Sequence, residues 1–266
     1  MELSLITNDP ACARAADESG IDRILIDLER HGKAERQAGK GLFLSTHEES
    51  DIARVRAAVN QASIMVRVDP IHPGSLRQIP AVIDAGADVV MLPYFHSLQE
   101  VRTFLQLVAG RAKACLLVET REAATLLADL CRLPDVAEMH IGLNDLSLSC
   151  GRPFLFDLIA DGTTDRLCDT LRGSTLPFGF AGVGRLSQKN LPVDPELILA
   201  AQVTQGATRF WLGRTFRDVS ASDMPHEVQQ LRAAMTRWSQ ASGFEVAQMR
   251  EQLRLQICAV GQRRAA

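Results

Sequence analysis

Charged side chains follow several short β-branched runs of this sequence, at positions where strands are expected to end. Two are carboxylates on successive runs, Glu119 and Asp145, and Arg67 follows the run two before Glu119. If the runs are parallel strands of one barrel, their carboxyl ends meet at one rim, where the three side chains converge. Two carboxylates with open positions beside them suit a hard divalent cation, Mg²⁺ or Mn²⁺, and the lack of histidine ligands argues against zinc. An arginine nearby would hold a carboxylate or enolate oxygen through paired hydrogen bonds.

Each of these side chains also has a purely structural interpretation. A carboxylate at a strand end is often the N-cap of the next helix, and Asp145 before Leu-Ser-Leu-Ser fits that use. Glu119 ends the apolar run Cys-Leu-Leu-Val, where an unpaired glutamate is costly to bury, so a functional role is favoured. Arg67 could instead pair with Asp69 or Glu29. The three residues together favour a functional site at the barrel rim more strongly than each does alone.

Short β-branched runs alternate with amphipathic segments along most of the chain, and this alternation predicts the fold. Eight runs are predicted as strands: residues 3–7, 23–28, 63–68, 88–92, 113–118, 139–142, 177–181 and 208–212. Gly86 and Gly206 stand where a helix gives way to a strand, which suits a left-handed C-cap residue. Eight strands alternating with helices predict an α/β protein of the (β/α)8 TIM-barrel class. An open doubly wound sheet is the rival, but the first strand runs into Asn8-Asp9-Pro10 without a Gly-rich dinucleotide turn.

Two segments depart from this repeat. Residues 29–50 form a long, polar, basic connection after the second strand, which predicts a lid or an arm that contacts substrate. From about residue 222 the pattern predicts the eighth barrel helix and then a further helix over about 244–260. We therefore assign residues 1–221 to the barrel core and residues 222–266 to these two helices within the same domain. We expect the extra helix to contact a neighbouring subunit of a homo-oligomer.

Composition excludes several classes of protein. The chain has 266 residues, of which 46% are hydrophobic and 23% charged, with a formal net charge of -3. These values are ordinary for a globular protein and leave no electrostatic reason to expect binding to nucleic acid or to a membrane surface. The six scattered cysteines, with no Cys-x-x-Cys pair, predict reduced thiols. The N-terminus does not have the pattern of a signal peptide, so we expect a cytoplasmic location.

Five motifs in order along the chain resemble those of one known superfamily. The motifs are Ile26-Asp-Leu-Glu29, Val66-Arg-Val-Asp-Pro70, Ala85-Gly-Ala-Asp-Val-Val-Met-Leu-Pro93, Leu117-Val-Glu-Thr120 and His140-Ile-Gly-Leu-Asn-Asp-Leu-Ser-Leu-Ser149. Together they resemble the HpcH/HpaI aldolase and citrate lyase β-subunit superfamily. The resemblance implies a metal-dependent β/α barrel that makes or breaks carbon–carbon bonds next to the enolate of a 2-oxo acid or an acyl-CoA.

Carried over position by position, the resemblance implies a role for each candidate. Glu119 and Asp145 would be the Mg²⁺ or Mn²⁺ ligands, and Arg67 would face the carbonyl or enolate oxygen. The substrate carboxylate would bind backbone N–H groups at the start of a helix, those of Gly142, Leu143, Asn144 and Asp145. The implied reaction is that of a class II aldolase, in which a pyruvate-like enolate adds to an aldehyde or forms when the adduct cleaves.

The sequence departs from the superfamily pattern directly after Glu29. The aldolase branch has Glu-His-Gly there, with the histidine in proton transfer, and the citrate lyase branch has Glu-Asp. Here Arg30 stands before His31. His31, and His47 in the same connection, are the candidate acid/base groups, although both also fit solvated histidines on a polar loop. Two alternatives to an aldolase therefore stay open: an acyl-CoA lyase or thioesterase that acts on a CoA thioester, and a non-catalytic barrel that binds an oxo acid within a pathway complex.

A weaker signal lies in the turns after the last two strands. Gly182-Val-Gly184-Arg185 and Leu212-Gly-Arg214 occupy positions where many barrels bind phosphate through backbone N–H groups. A phosphorylated or CoA-linked substrate is one interpretation. Glycines that allow tight turns at the barrel rim are the other, and we prefer it.

Overall fold

A computed structural model of the protein describes residues 1–32 and 45–265. Its strands are β1 (Glu2–Ile6), β2 (Arg23–Asp27), β3 (Ser63–Arg67), β4 (Val89–Leu92), β5 (Lys113–Val118), β6 (Val136–Ile141), β7 (Phe178–Phe180), β8 (Gly182–Val183) and β9 (Arg209–Leu212). Its helices are α1 (Pro10–Glu18), α2 (Ser50–Arg56), α3 (Ser75–Asp84), α4 (Leu98–Val108), α5 (Arg121–Thr125), α6 (Leu127–Leu130), α7 (Leu143–Ser149), α8 (Asp157–Ala160), α9 (Thr163–Arg172), α10 (Pro195–Thr204), α11 (Met224–Ser239) and α12 (Gly243–Ala265). A 3₁₀ turn spans Arg214–Phe216. No helix in these ranges is both long and apolar enough to cross a membrane.

The strands form a nearly closed parallel barrel. Each strand from β1 to β7 pairs with the next, β9 pairs with β1, and β8 pairs with β9. β7 and β8 are two halves of the seventh barrel strand, which is broken at Ala181, where φ is 56°. One half continues the ladder from β6 and the other the ladder from β9. The predicted TIM barrel with an additional C-terminal helix is thus confirmed.

The eight predicted strands are all present, with small differences at their ends. The largest difference is in the sixth strand, which begins at Val136, three residues before the prediction. The charged Glu138 interrupts the apolar run there, and the sequence alone does not show that its charge is paired inside the barrel. Gly86 and Gly206 have φ values of 109° and 86°, as the left-handed C-cap interpretation predicts.

The segments predicted to depart from the repeat have different outcomes. Most of the predicted lid or arm, including residues 33–44, lies outside the described residues, so its role stays a prediction. The two C-terminal helices are present as α11 and α12. Met249, Leu253 and Ile257 recur every fourth residue on α12 and are buried, in contact with the side of the barrel that carries α8 and α10. The division at residue 222 and the contact of α12 with a second subunit remain predictions.

Strand residues alternate between the barrel interior and the surrounding helix layer. Leu25, Met65, Cys115 and Leu117 belong to a cluster inside the barrel, whereas their neighbours along the strands, such as Ile26, pack in the core beneath the helices. Because side chains in a strand have a period of two, the residue two positions after an inward residue also faces inward. This rule directs the side chains of residues 27, 67 and 119 into the carboxyl end of the barrel.

The amino end of the barrel interior is filled by a buried ionic network. The Glu138 carboxylate accepts hydrogen bonds from Arg23 and from Arg209, the latter with an Nε–Oε2 distance of 2.7 Å. Glu2 Oε2 lies 3.1 Å from a nitrogen of each arginine. Burial by itself would raise the pKa of Glu138, but the two arginines hold it below its usual value. The network closes the end of the barrel opposite the predicted site.

We predict that Glu138→Gln lowers the free energy of unfolding by about 3 kcal/mol, because it leaves the buried Arg23 and the partly buried Arg209 with only the partly exposed Glu2 as a counter-charge. Urea denaturation followed by circular dichroism measures this change. Glu251→Gln is the matched control, since Glu251 is an exposed member of an ion pair with Arg254, and we expect no measurable effect there. Equal stability of the Glu138 variant and the wild-type protein would contradict the structural importance of the network.

Candidate active site

The carboxyl ends of the barrel strands surround a cavity of about 560 Å³. Its walls contain Arg67, Glu119 and the whole 142–145 segment, that is, every predicted site residue except the two histidines. Other lining residues were given no role from the sequence: Asp27, His140, Leu155, Phe156, Trp211 and Arg217. The structure therefore brings the metal-ligand and substrate-binding candidates to one place.

Glu119 is held by backbone groups from two neighbouring elements. Its Oε1 accepts the N–H of Tyr94 at 3.0 Å, and Tyr94 adopts a left-handed conformation with φ of 47° after β4. A Cβ at Gly142 would lie 2.7 Å from Glu119 Oε2, so any larger residue there would displace the carboxylate. Glu119 is only 3% exposed. Glu119 is therefore a buried residue of the cavity wall, directly after the end of β5 at Val118.

Asp145 lies in the first turn of α7, and the N-cap of that helix is Gly142. The interpretation of Asp145 as a helix cap is therefore wrong, because β6 ends at Ile141 and the helix begins directly afterwards. Its carboxylate is 6% exposed and accepts a hydrogen bond from Asn144 Nδ2 at 3.4 Å. A negative charge in the first turn of a helix is favoured by the helix dipole.

Arg67 makes its closest contacts with Asp27, and of the two partners suggested from the sequence only Glu29 forms an ion pair with it. Its Nε and Nη2 donate to the two carboxylate oxygens of Asp27 at 2.8 and 2.7 Å. Glu29 is a more distant partner at 3.5 Å, and the Arg67 guanidinium carbon lies 5.9 Å from the ring centre of Trp211. Burial by itself would lower the pKa of Arg67, but Asp27, Glu29 and Glu119 raise it. Arg67 is thus a fixed cation in the cavity wall.

The chain after Glu29 is held by Asp69. The backbone N–H groups of Arg30 and His31 both donate to Asp69 Oδ1, at 2.7 and 2.8 Å. The exposed His31 ring lies against that of His72, with ring centres 4.2 Å apart. Asp69 is therefore occupied by this turn, which explains why it is not the partner of Arg67. His31 does not line the main cavity, and its acid/base role stays a prediction.

His47 is buried, so its interpretation as a solvated loop histidine is wrong. It is 6% exposed, and its Nδ1 accepts the backbone N–H of Asp27 at 3.0 Å. A neutral imidazole that accepts at Nδ1 carries its hydrogen on Nε2. His47 lines a second pocket beside the main cavity. His47 thus binds the backbone of Asp27, the residue whose carboxylate binds Arg67. The acid/base role of His47 also stays a prediction.

Two sets of potential metal ligands differ in how well they fit a cation. Among the described residues, His31, Asp69 and His72 offer ligand atoms within 4.8 Å of one another. However, His72 Nδ1 accepts the Gly74 N–H at 3.1 Å, so His72 Nε2 carries the hydrogen and would have to lose it to bind a metal. Glu119 and Asp145 offer only carboxylate oxygens at the cavity wall, which is the donor chemistry that Mg²⁺ and Mn²⁺ prefer.

His140 is a cavity residue whose importance the sequence did not reveal. Its Nε2 donates to the Ala181 carbonyl at 3.1 Å, and its ring stacks on Trp211 with centres 4.1 Å apart. Gly179 lies beside the ring, where a Cβ would be 2.9 Å from Nδ1. Burial lowers the pKa of His140 to about 4. Side chains alternate between the two faces of a strand, and Glu138 of β6 points into the barrel. His140, two residues later, could therefore have been expected to point inward as well.

We predict that His140 makes the protein less stable as the pH falls from 7 to 5. The unfolded state takes up a proton near the ordinary pKa of about 6.5, whereas the folded state resists it until about pH 4. The resulting loss in the free energy of unfolding is about 2 kcal/mol at pH 5. Urea denaturation at both pH values measures it. His140→Gln should remove this share of the pH dependence, and His226→Gln on the exposed face of α11 should keep it. An unchanged pH dependence in His140→Gln would contradict the lowered pKa.

Comparison with known proteins identifies the family. The model of the HpcH/HpaI aldolase/citrate lyase family matches residues 3–153, which is more than half of the chain. The chain therefore belongs to this family, and the membership supports an enzyme of the carbon–carbon lyase kind. None of the curated protein sequences matches the chain.

Solved structures share the fold at low sequence identity. An HpcH/HpaI aldolase from Desulfitobacterium hafniense is 14% identical, with 91% of this chain and 94% of that chain covered and a TM-score of 0.61. An HpcH/HpaI aldolase/citrate lyase family protein from Burkholderia cenocepacia is 15% identical, with coverage of 88% and 93% and a TM-score of 0.60. Macrophomate synthase is 14% identical, with coverage of 89% and 85% and a TM-score of 0.58. At these identities the likeness shows the barrel fold.

Proposed function

We propose that this protein is a divalent-metal-dependent class II aldolase that acts through the enolate of a pyruvate-like 2-oxo acid. The observation that carries the proposal is the meeting of Glu119, Asp145 and Arg67 in one largely apolar cavity at the carboxyl end of the barrel. The family membership supports carbon–carbon bond chemistry, and the oxygen-only donor pair supports Mg²⁺ or Mn²⁺.

Different groups in the cavity wall would bind different parts of a 2-oxo acid. A divalent cation held by Glu119 and Asp145 would polarise the 2-oxo group and stabilise the negative charge that develops on it. Arg67 adds a second positive charge, directed by Asp27, and needs no reorientation during the reaction. The Gly142 N–H, expected to bind the substrate carboxylate, donates instead to the Val118 carbonyl at 3.0 Å. The first backbone N–H groups of α7, from Leu143 to Asp145, have no partner within the helix and would bind the carboxylate.

The proposed reaction joins the 2-oxo acid to an aldehyde. A base removes a proton from C3 of the 2-oxo acid, and the resulting enolate carbon forms a bond to the aldehyde carbon. The aldehyde oxygen then takes a proton, so that the product is a 4-hydroxy-2-oxo acid and no redox partner is needed. His31 and His47 remain the candidates for the proton transfer. His47 has the closer link to the cavity, through its hydrogen bond with the backbone of Asp27.

We predict that the wild-type protein exchanges the C3 protons of pyruvate with deuterated water when Mg²⁺ or Mn²⁺ is present, and that EDTA abolishes the exchange. Glu119→Gln and Asp145→Asn should each lower the rate at least about 100-fold, because each removes a charged oxygen ligand. Proton NMR follows the exchange without an aldehyde partner. Amide variants are chosen because both carboxylates are buried and a shortened side chain would leave a void.

Asp129→Asn is the control for these variants, because Asp129 is an exposed carboxylate paired with Arg132 on the outer helix layer. The unfolding temperature of every variant should stay near that of the wild-type protein. Exchange that persists at the wild-type rate in both site variants would refute the assignment of the ligands. Absence of exchange in folded wild-type protein with either metal would overturn the 2-oxo acid proposal, and hydrolysis or cleavage of acyl-CoA thioesters would then be assayed.

A further inference from the structure

The main cavity has an apolar wall that is formed by two connections at the carboxyl end of the barrel. Leu155 and Phe156 belong to the connection that follows α7, and Leu191 belongs to the connection that follows β8. All three side chains are half-buried and line the cavity. Because β6 pairs with β7, the two connections start from neighbouring strands of the barrel. We call these three residues the apolar wall.

Contacts within the protein hold the apolar wall in place. The Phe156 ring meets the ring of the buried Phe154 edge to face, with ring centres 5.3 Å apart. On the other connection, a Cβ at Gly184 would lie only 2.9 Å from Leu191 Cδ1. Leu191 therefore packs closely on the backbone directly after β8. The apolar wall is thus a packed part of the barrel rim.

The cations of the same two connections do not line the cavity. Arg152 forms an ion pair with Asp161 at 2.8 Å, and Arg185 lies 3.9 Å from Glu227. Lys189 is exposed. Among the cavity-lining residues that the structure describes, none of these three cations is present. A charged group of a ligand would lose water at the apolar wall without gaining an ion pair with them, so the wall favours an apolar group.

The apolar wall lies beside the place where the enolate would form. Asp145 stands in the first turn of α7, and the chain comes back to the same cavity at Leu155. The cavity volume of about 560 Å³ falls within the range of roughly 300–1,000 Å³ that holds drug-sized ligands, so it exceeds what a pyruvate-sized molecule requires. A second substrate therefore has room beside the 2-oxo acid.

We propose that the apolar wall binds the hydrocarbon chain of the acceptor, so that the second substrate of the aldol reaction is an aliphatic aldehyde. This inference rests on the proposed function. The enolate carbon forms its bond to the aldehyde carbon, the aldehyde oxygen takes a proton, and the product is a 4-hydroxy-2-oxo acid with a hydrocarbon chain beyond C4. Each methylene that leaves water for an apolar site should strengthen binding about 4-fold.

A carboxylated aldehyde is the competing acceptor, because arginines also line the cavity. Arg214 and Arg217 follow β9, and they also line the second pocket over the end of β1. None of the three residues of the apolar wall lines that second pocket. An acceptor with a carboxylate would therefore depend on the turn after β9, whereas an aliphatic acceptor would depend on the apolar wall.

Binding measurements test the apolar wall without requiring turnover. Isothermal titration calorimetry of the full chain would use 1-butanol, 1-pentanol and 1-hexanol as unreactive analogues of the aldehydes. Their affinity should rise about 4-fold with each methylene. Leu155→Gln and Leu191→Gln should each weaken the binding of 1-hexanol at least about 5-fold, because a polar amide replaces a hydrocarbon surface.

Leu76→Gln is the matched control, because Leu76 of α3 is 72% exposed and lies outside the cavity lining. It should leave the binding of 1-hexanol unchanged, and circular dichroism would show that each variant is folded. Absence of 1-hexanol binding to the wild-type protein, an affinity that does not rise with chain length, or unchanged binding in both wall variants would each overturn the inference.

Turnover distinguishes the acceptor classes. With pyruvate and Mg²⁺ or Mn²⁺, kcat/KM for hexanal should exceed that for propanal by about 50-fold or more, and the Leu155→Gln/Leu191→Gln double variant should lose most of this preference. A higher kcat/KM for succinic semialdehyde than for hexanal would overturn the inference in favour of a carboxylated acceptor. Pyruvate C3 exchange needs no acceptor, so its absence would refute the proposed function itself. Exchange without a preference for the longer aldehyde would refute only this inference.

Discussion

Every second residue of each strand in a parallel barrel points into one narrow interior, and this constraint organises the whole molecule. Arg23, Leu25 and Asp27 of β2 illustrate it, because they contribute in turn to the ionic network, the apolar layer and the candidate site. In β5, Cys115 and Leu117 of the same apolar layer come before Glu119 of the candidate site. The charged groups of the two ends are thus separated by a layer of apolar side chains.

Charges buried in such an interior persist only when partners and small residues make room for them. Glu138 is balanced by two arginines from other strands, and Arg67 is balanced by Asp27. Gly142 leaves space for the Glu119 carboxylate, and Gly179 leaves space for the backbone of β9, whose Arg209 carbonyl a Cβ would approach to 1.9 Å. The barrel therefore holds its functional groups by mutual contacts between strands, and these contacts need little rearrangement when a ligand binds.

The carboxyl end of the barrel has two regions of different character. One contains Glu119, Asp145 and the start of α7, where the negative oxygens and backbone N–H groups suit a cation and an oxo acid. The other contains Arg214 and Arg217, which follow β9. Arg67 and Trp211 line the same cavity, with the Arg67 guanidinium carbon 5.9 Å from the Trp211 ring centre. The proposed aldol reaction needs one shared cavity, because its two substrates must bind side by side with their reacting carbons close together.

Periodicity and motifs within short stretches of the sequence were enough to predict the barrel and its eight strands. They also identified Arg67, Glu119 and Asp145 as candidate site residues. The tertiary structure alone decided their partners, since Arg67 binds Asp27 across 40 residues and Arg23 binds Glu138 across 115. It also turned His31 towards His72 and placed Asp145 inside the first turn of α7. The physical reason is the distance along the chain over which each kind of interaction acts. Alternation and turn chemistry act over a few neighbouring residues, whereas pairing of a buried charge depends on which distant side chains the closed barrel brings within hydrogen-bond distance.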